Sequence, residues 1–336
     1  MSILSKIKPN KVSAQYEKQS HFMYSVPKAG KTTTMFEILG QKCLFLATEV
    51  GYLSIPDIHA VDINSISDLK ELIWELQDMK DAGQELPYTC VCIDTVDNLE
   101  ILLQKYVCGQ AGVANMGDVG HGKLYAEFDK VLIGIMNDFK NLGLGIHYIS
   151  HSKLKKIEDK LNGVEYEKYF PSISERMQKI LLADCYFISF IFNKVNVEEK
   201  TEQRIMCFRD TTQFSAGSRY RHLAPYIPLS ATAFKGAVEE AIKKEEELKA
   251  GSTTKEANIH TKTKLDFNSI MARGSELGAK FQAANQIDKL MDAVTEILGT
   301  DENGKPRMFN QLKESQVEIA NVLVMKLEKL AKELGI

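Results

Sequence analysis

The stretch that decides the fold is "MYSVPKAGKTTTMFEIL", which runs from Met23 to Leu39. Apolar residues lead into it and apolar residues at helical spacing leave it, which predicts a strand, a loop and then a helix. Gly30, Lys31 and Thr32 match the end of the phosphate-loop pattern G-x-x-x-x-G-K-[ST], but Ser25 stands in place of its first glycine. The first question is therefore whether this loop can hold phosphates.

A phosphate loop works through its backbone. Its N–H groups surround the phosphates at a helix N-terminus, the lysine reaches the β and γ phosphates, and the hydroxyl binds Mg²⁺. A serine at the first position requires only a φ/ψ pair that suits a residue with a Cβ. The alternative is a chance Gly-Lys-Thr at the start of a helix. The loop predicts a site for ATP and Mg²⁺ formed by Ser25, Pro27, Lys28, Ala29, Gly30, Lys31, Thr32 and Thr33.

Acidic residues follow two of the predicted core strands. "TCVCID" ends at Asp94, which is placed to support Mg²⁺, although a helix N-cap is the alternative and Asp97 fits that task better. Glu49 follows "CLFLAT", where a carboxylate can polarise the attacking water in phosphoryl transfer. A solvated loop glutamate is the other interpretation of Glu49.

A third strand, "GLGIHYIS", is followed by His151. A polar side chain at this strand end can sense the γ-phosphate and pass that state to the next loop. A buried histidine whose hydrogen bonds are satisfied is the alternative.

Continuous apolar strands alternate with helical stripes, which predicts a mostly parallel sheet covered by helices on both faces, an α/β fold. The stretches "DCYFISFIFNKV" and "QRIMCFRD" predict a strand pair after the core. We divide the chain into an N-terminal arm, an ATPase domain, a linker and a helical C-terminal appendage, at residues 1–17, 18–248, 249–262 and 263–336.

Composition excludes several classes of protein. The net charge of −3 argues against a generally basic nucleic-acid-binding surface, and no apolar run reaches the roughly 18 residues of a membrane helix. The six cysteines form no C-x2-C pair, so buried thiols are favoured over zinc, as is typical of a reducing cytoplasm. The N-terminus lacks the apolar segment of a signal peptide. We expect a cytoplasmic protein without membrane contact.

Together, "SVPKAGKTT", Glu49, Asp94 and His151 resemble the RecA-type P-loop ATPase core. The chain is most similar to the short RecA-like ATPases of phages that act as single-strand annealing proteins, on "MGDVGHGKLYAEFDKVL", "LGIHYISHSKLKK" and "FRDTTQFSAGSRYRHLAPYIPLSATAF". The resemblance covers about residues 18–245. It implies a RecA-like fold, Mg²⁺-dependent ATP hydrolysis and a homo-oligomer, either a ring or a filament, acting in a host cytoplasm.

Residue by residue, the resemblance implies that Lys31 and Thr32 bind phosphate and Mg²⁺. It also implies that Asp94 supports Mg²⁺ through a water molecule. Glu49 becomes the activator of water and His151 the γ-phosphate sensor. Arg219, or else Arg221, would reach the nucleotide of a neighbouring subunit. A solvated loop cation is the alternative for either arginine.

Single-stranded DNA is the partner that the resemblance implies. Lys153, Lys155 and Lys156 directly follow the predicted sensor, and lysines contact phosphates without reading sequence. The same segment carries acidic residues, so a hairpin with a solvated charged face is equally compatible with it.

Three functions remain open. The first is an ATP-dependent recombination protein that anneals single strands, and the second is a helicase-like motor or loader in replication. The third is a nucleotide-dependent scaffold whose helical appendage recruits a single-strand-binding or replication protein. A P-loop kinase is disfavoured because no arginine-rich lid follows the third core strand.

Overall fold

The computed structural model describes residues 7–160, 162–196, 200–257, 265–300 and 304–336. It forms two compact units, Met1–Lys262 and Thr263–Ile336. Residues 1–6 of the predicted arm, residues 258–262 of the predicted linker and the first two residues of the predicted appendage lie outside the described residues.

The first unit alternates strands and helices, as the hydrophobic pattern predicts. Its strands are β1 (Val12–Ser13), β2 (His21–Ser25), β3 (Cys43–Ala47), β4 (His59–Asp62), β5 (Cys90–Asp94), β6 (Gly145–Asp159), β7 (Val164–Pro171), β8 (Phe187–Asn196), β9 (Thr201–Cys207), β10 (Gly217–Ser218), β11 (Tyr226–Pro228) and β12 (Thr253–Thr254). Its helices are α1 (Lys31–Leu39), α2 (Ile66–Asp81), α3 (Val96–Ala111), α4 (Lys123–Leu142), α5 (Glu175–Asp184) and α6 (Ala231–Leu248).

Ten strands form one sheet in the order β11-β9-β8-β2-β6-β5-β3-β4, with β10 beside β8 and β7 beside β6. The pairs from β8 through β4 are all parallel. The pairs that involve β7, β9, β10 and β11 are antiparallel. The predicted α/β core with a mostly parallel sheet is therefore confirmed, as is the strand pair formed by β8 and β9.

Helices cover both faces of this sheet, so its central strands are buried throughout. On one face, α2, α3, α4 and α5 pack over side chains such as Tyr24, Ile93 and Tyr148. On the other face, α1 and α6 pack over Met23, Phe45 and their neighbours. Burial on both sides explains why these strands are continuously apolar rather than alternating.

In the sequence, Ser67 is a plausible N-cap for the amphipathic helix near residues 67–82, and the structure corrects this expectation. Ser65 is the N-cap, and it forms a reciprocal capping box with Asp68. Both serines precede the apolar stripe, but only Ser65 has an acidic residue three positions later whose side chain returns to the cap.

The predicted arm and linker contribute to the first unit. Strand β1 pairs in parallel with β12, and the Ser13 hydroxyl donates a hydrogen bond to the Glu256 carbonyl. The turn-like composition of both segments hid this pairing, because a two-residue strand has no detectable hydrophobic period.

The second unit is a bundle of three helices, α7 (Phe267–Ala283), α8 (Ile287–Leu298) and α9 (Val317–Leu334). Two apolar stripes at helical spacing in the sequence, from Ile287 to Leu298 and from Ala320 to Leu334, predict two helices here, and these correspond to α8 and α9. Helix α7 was not predicted, although Asp266 caps it by accepting bonds from two backbone N–H groups. A Cβ at Gly274 would lie 2.2 Å from the Phe309 ring, so this glycine permits close packing.

All six cysteines are buried free thiols, as predicted. Among the described residues, none of the helices combines the length and the apolar character that a membrane crossing requires.

Candidate functional site

The candidate site lies where the parallel strands end. Ser25 ends β2, Glu49 follows β3 by two residues, Asp94 ends β5, and His151 lies within β6 in register with Ser25. The carboxyl ends of neighbouring parallel strands meet at one edge of a sheet, and this edge is where open α/β sheets bind ligands. Four predicted residues that are distant in sequence are thus brought to one edge.

Ser25 fits its place in the loop without strain. Its side chain is fully buried, and its hydroxyl donates a 2.7 Å hydrogen bond to the Ile191 carbonyl of β8. It is absent from the residues with positive φ, whereas Gly30 has a φ of +94°. The left-handed conformation that favours glycine is therefore needed at Gly30 and not at Ser25.

Lys31 is buried at the start of α1 and folds back over the loop. Its ammonium group donates to the carbonyls of Val26 at 3.0 Å and Ser25 at 3.3 Å. Burial lowers the pKa of Lys31, while Asp94 and Glu49 oppose that shift. The lysine is thus held beside the loop by bonds that a phosphate oxygen can replace.

Thr32 and Asp94 meet across the site. The threonine hydroxyl donates to the Asp94 carboxylate at 2.6 Å. Burial raises the pKa of Asp94 to about 6, although Thr32 and Lys31 lower it. A buried carboxylate beside a hydroxyl suits Mg²⁺, which takes one or two protein oxygens and completes its shell with water and phosphate. The described residues hold no larger cluster of metal-binding side chains.

Glu49 and His151 form a second pair at the same edge. The His151 Nε2 atom lies 3.4 Å from a Glu49 carboxylate oxygen, and both side chains are partly exposed. The His151 Nδ1 atom is buried and makes no hydrogen bond. A carboxylate and an imidazole are therefore in contact next to Thr32 and Asp94.

Asp97 does not cap α3, contrary to the sequence interpretation. The N-cap is Thr95, which makes no side-chain cap bond. The Asp97 carboxylate instead accepts bonds from the His151 N–H, at 3.1 Å, and from the Ser172 hydroxyl. These residues flank the hairpin of β6 and β7, so one carboxylate joins the two ends of that hairpin beside the site. The sequence carries no signal for this contact.

The three predicted DNA-binding lysines do not share one surface. Directly opposite residues in an antiparallel pair face the same side, and successive residues face opposite sides. Lys153 and Lys155 lie on one face of the hairpin, and Lys156 lies on the other. Lys153 donates to two backbone carbonyls, Lys155 pairs with Glu175 at 2.7 Å, and Lys156 pairs with Glu165.

Arg219 lies at the amino ends of the parallel strands, whereas the loop lies at their carboxyl ends. It follows β10, whose Ser218 pairs with Phe187 at the start of β8. Its guanidinium donates to the carbonyls of Cys185, at 3.0 Å, and Ala183, near the end of α5. Arg221 lines the same cavity as Arg219. The structure brings neither arginine to the phosphate loop of its own chain.

Arg204 of β9 was missed by the sequence analysis, and it does lie beside the loop. Its Nη1 atom is 3.6 Å from the position that a Cβ would take at Gly30. It also lines a cavity of about 350 Å³ together with loop residues from Ser25 to Ala29. Only the antiparallel return of β9 along β8 places it there, and the sequence gives no register for that pairing.

Comparison with known proteins gives a family match and distant relatives. A family model described as an AAA domain matches residues 17–220, which is more than half of the chain. The SPbeta prophage-derived uncharacterized protein YorG of Bacillus subtilis (strain 168) is 23% identical over 317 residues, covering 93% of each chain. That similarity spans both units.

Solved structures give weaker matches. A KaiC-like protein from Pyrococcus horikoshii OT3 aligns with 66% of this chain and 93% of its own, at 10% identity and a TM-score of 0.35. The flagellar accessory protein FlaH from Methanocaldococcus jannaschii aligns with 63% of this chain and 84% of its own, at 9% identity and a TM-score of 0.31.

Proposed function

Because the chain belongs to the AAA domain family of P-loop ATPases, we propose that it binds ATP with Mg²⁺ at the loop from Ser25 to Thr33 and hydrolyses it. The observation that carries this proposal is the meeting of Lys31, Thr32 and Asp94. Thr32 and Asp94 are 62 positions apart, yet they are hydrogen-bonded directly beneath the loop.

The protein's own groups divide the work. Loop N–H groups and Lys31 bind the phosphates, which replace the carbonyl partners that Lys31 now has. Thr32 and Asp94 hold the metal, which would neutralise charge on the phosphates. Glu49 accepts a proton from the attacking water, and His151 orients the Glu49 carboxylate and responds to the γ-phosphate.

Single-stranded DNA is the partner that we propose, with annealing or recombination as the outcome. Support comes from the resemblance to phage annealing ATPases, from the prophage-derived relative, and from the lysines of the hairpin. His151 lies on β6 at the base of this hairpin, and Asp97 bonds both its N–H and the Ser172 hydroxyl, so a contact exists through which nucleotide and DNA could affect one another.

A homo-oligomer, in which Arg219 or Arg221 faces the neighbour's nucleotide, belongs to the same proposal. Both arginines lie at the sheet edge away from their own loop, which suits a head-to-tail ring or filament. Arg221 is exposed at that edge.

The C-terminal unit offers a surface for a protein partner. Ile319, Val322 and Met325 of α9 are 36%, 48% and 59% exposed, and their spacing places them on one side of the helix. This surface supports the second candidate function, a scaffold that recruits a single-strand-binding or replication protein.

Turnover of ATP by the full chain, with and without single-stranded DNA, tests the proposal. We expect Mg²⁺-dependent hydrolysis that DNA stimulates, and faster pairing of complementary oligonucleotides without unwinding of duplex. Strand displacement would favour a motor instead. Nucleotide binding without hydrolysis or strand pairing would favour the scaffold. Failure to bind nucleotide would refute the nucleotide site that we propose at the loop.

A further inference from the structure

Arg204 is a cation that lies beside the phosphate loop without a partner. Within the described part of the chain, its guanidinium makes no ion pair or hydrogen bond with protein groups, and its side chain is exposed. The other arginine considered above, Arg219, is by contrast bound to two carbonyls.

The surroundings of Arg204 are already positive. Helix α1 begins at Lys31, so its N-terminal N–H groups point toward the loop, and Lys31 adds a full charge. The acidic groups of the site, Asp94 and Glu49, are paired with Thr32 and His151. A further cation against the positive end of a helix is unfavourable in the free protein, and a polyanion removes that repulsion.

Arg204 borders an open cavity that is lined by the phosphate loop and by aromatic side chains. The cavity is formed on one side by the loop and on the other by Tyr169, Phe190 and Phe192. Arg204 and Asn193, which are paired across β9 and β8, supply its polar side chains outside the loop. A ligand that binds the loop N–H groups therefore has room to meet the guanidinium.

We propose that Arg204 is a second phosphate-binding cation, acting within its own chain on the nucleoside triphosphate held by the loop. The assignment rests on the proposed function of that loop. A guanidinium presents a planar fork that can donate two hydrogen bonds to one phosphate, whereas an ammonium acts as a point charge. Lys31 and Arg204 would then hold the phosphate chain from different sides.

Calorimetric binding of tripolyphosphate, ATP, ADP and AMP, each with Mg²⁺, tests this assignment. We expect Arg204→Ala to weaken ATP and tripolyphosphate binding about tenfold, as expected for a lost charged hydrogen bond. The loss should shrink from ATP to ADP to AMP. The affinity of Arg204→Lys for ATP should lie between those of Arg204→Ala and the wild type.

Lys194→Ala is the matched control, because Lys194 is an exposed cation on the strand that pairs with β9. It should bind every ligand like the wild type. Equal melting temperatures of the free variants show that their folds are intact.

Two results overturn the inference, and they differ in what else they affect. If the wild type binds ATP and Lys31→Ala does not, while Arg204→Ala behaves like the control, only the role of Arg204 is refuted. The same holds if Arg204→Ala weakens AMP as much as ATP. If the wild type binds neither ATP nor tripolyphosphate, the proposed function itself fails.

Discussion

The carboxyl edge of the sheet and the hairpin of β6 and β7 both carry charges, but they hold them in opposite ways. At the edge, Lys31 and Asp94 are only 6% and 5% exposed. On the hairpin, the Lys155 and Lys156 side chains are 36% and 64% exposed, and each faces a glutamate.

The difference separates buried charges, which reduce stability, from exposed charges, which hardly affect it. Burying a charge costs several kcal/mol even after relaxation, so buried charges that persist usually serve a function. Exposed ion pairs contribute about 0–1 kcal/mol and can be exchanged freely. The edge therefore supports a functional assignment by itself, whereas the hairpin supports one mainly through resemblance and through its link to His151.

Among changes that leave nucleotide binding intact, the largest expected effect is on the edge, from Glu49→Gln. Removing the proton acceptor should slow ATP hydrolysis about a hundredfold or more, while nucleotide binding persists. Single-turnover hydrolysis and equilibrium binding measure the two separately. Glu37→Gln, which changes a residue on α1 outside the site, is the control, and normal hydrolysis by Glu49→Gln would place the base elsewhere.

Asp94→Asn sharpens the comparison by separating stability from function. Burial raises the pKa of Asp94 to about 6, whereas an unfolded aspartate titrates near about 3.9. The folded protein therefore loses stability as pH rises from about 4 to about 6, and the loss is complete above that range. At pH 8 the metal-free variant should be more stable than the wild type by on the order of 2–3 kcal/mol.

Metal binding by Asp94→Asn should change in the other direction. Mg²⁺ needs the ionised carboxylate, so wild-type Mg²⁺–nucleotide affinity should fall as pH drops through about 6, and the variant should be weak at every pH. Denaturant unfolding and nucleotide titrations across pH measure both effects. A metal-free variant less stable than the wild type at pH 8 would contradict the assignment of a costly buried charge.

Asp97→Asn tests the residue that joins the two regions. It keeps the shape of the side chain but weakens bonds to the His151 N–H and the Ser172 hydroxyl, a loss of about 1–3 kcal/mol. Backbone amides from Ser152 to Ser172 should exchange hydrogen faster, as followed by mass spectrometry. Ser172→Ala removes one of the two bonds and should show a smaller effect. Unchanged exchange in both variants would mean that the hairpin is held by its other contacts.

The smallest effects belong to the hairpin lysines. Lys155→Ala and Lys156→Ala should each change the free energy of unfolding by less than about 0.5 kcal/mol. Removing Lys153, Lys155 and Lys156 together should weaken single-strand binding and reduce the salt slope by about 0.7 per lost phosphate contact. Because Lys156 lies on the opposite face, Lys156→Ala alone should leave the slope unchanged if DNA contacts the other face. An identical slope in the triple variant would place the DNA path elsewhere.

The sequence was sufficient for the fold and for the positions of the candidate site residues, because these depend on local motifs and on hydrophobic periodicity. The loop pattern located Gly30 to Thr32, and continuous apolar strands located the ends at Glu49, Asp94 and His151. The parallel sheet then follows, because strands buried on both faces must be covered by helices. These inferences needed only residue types and spacing.

The sequence failed where antiparallel register decides position. Nothing in the residues around Arg204 or Arg219 shows which arginine reaches the loop. The return of β9 along β8 brings Arg204 there, while β10 places Arg219 at the start of β8, away from the loop. Strand alternation likewise separates Lys155 from Lys156, and the bonds of Asp97 depend on loops that meet only in the folded chain.

The most direct test of the account is equilibrium binding of Mg²⁺–ATP to Lys31→Ala beside Lys42→Ala, which changes an exposed lysine after α1. We expect Lys31→Ala to lose binding and hydrolysis while its melting temperature stays near that of the wild type, and we expect Lys42→Ala to match the wild type in both. Unchanged affinity and turnover in Lys31→Ala would contradict the assignment of the carboxyl edge as the nucleotide site.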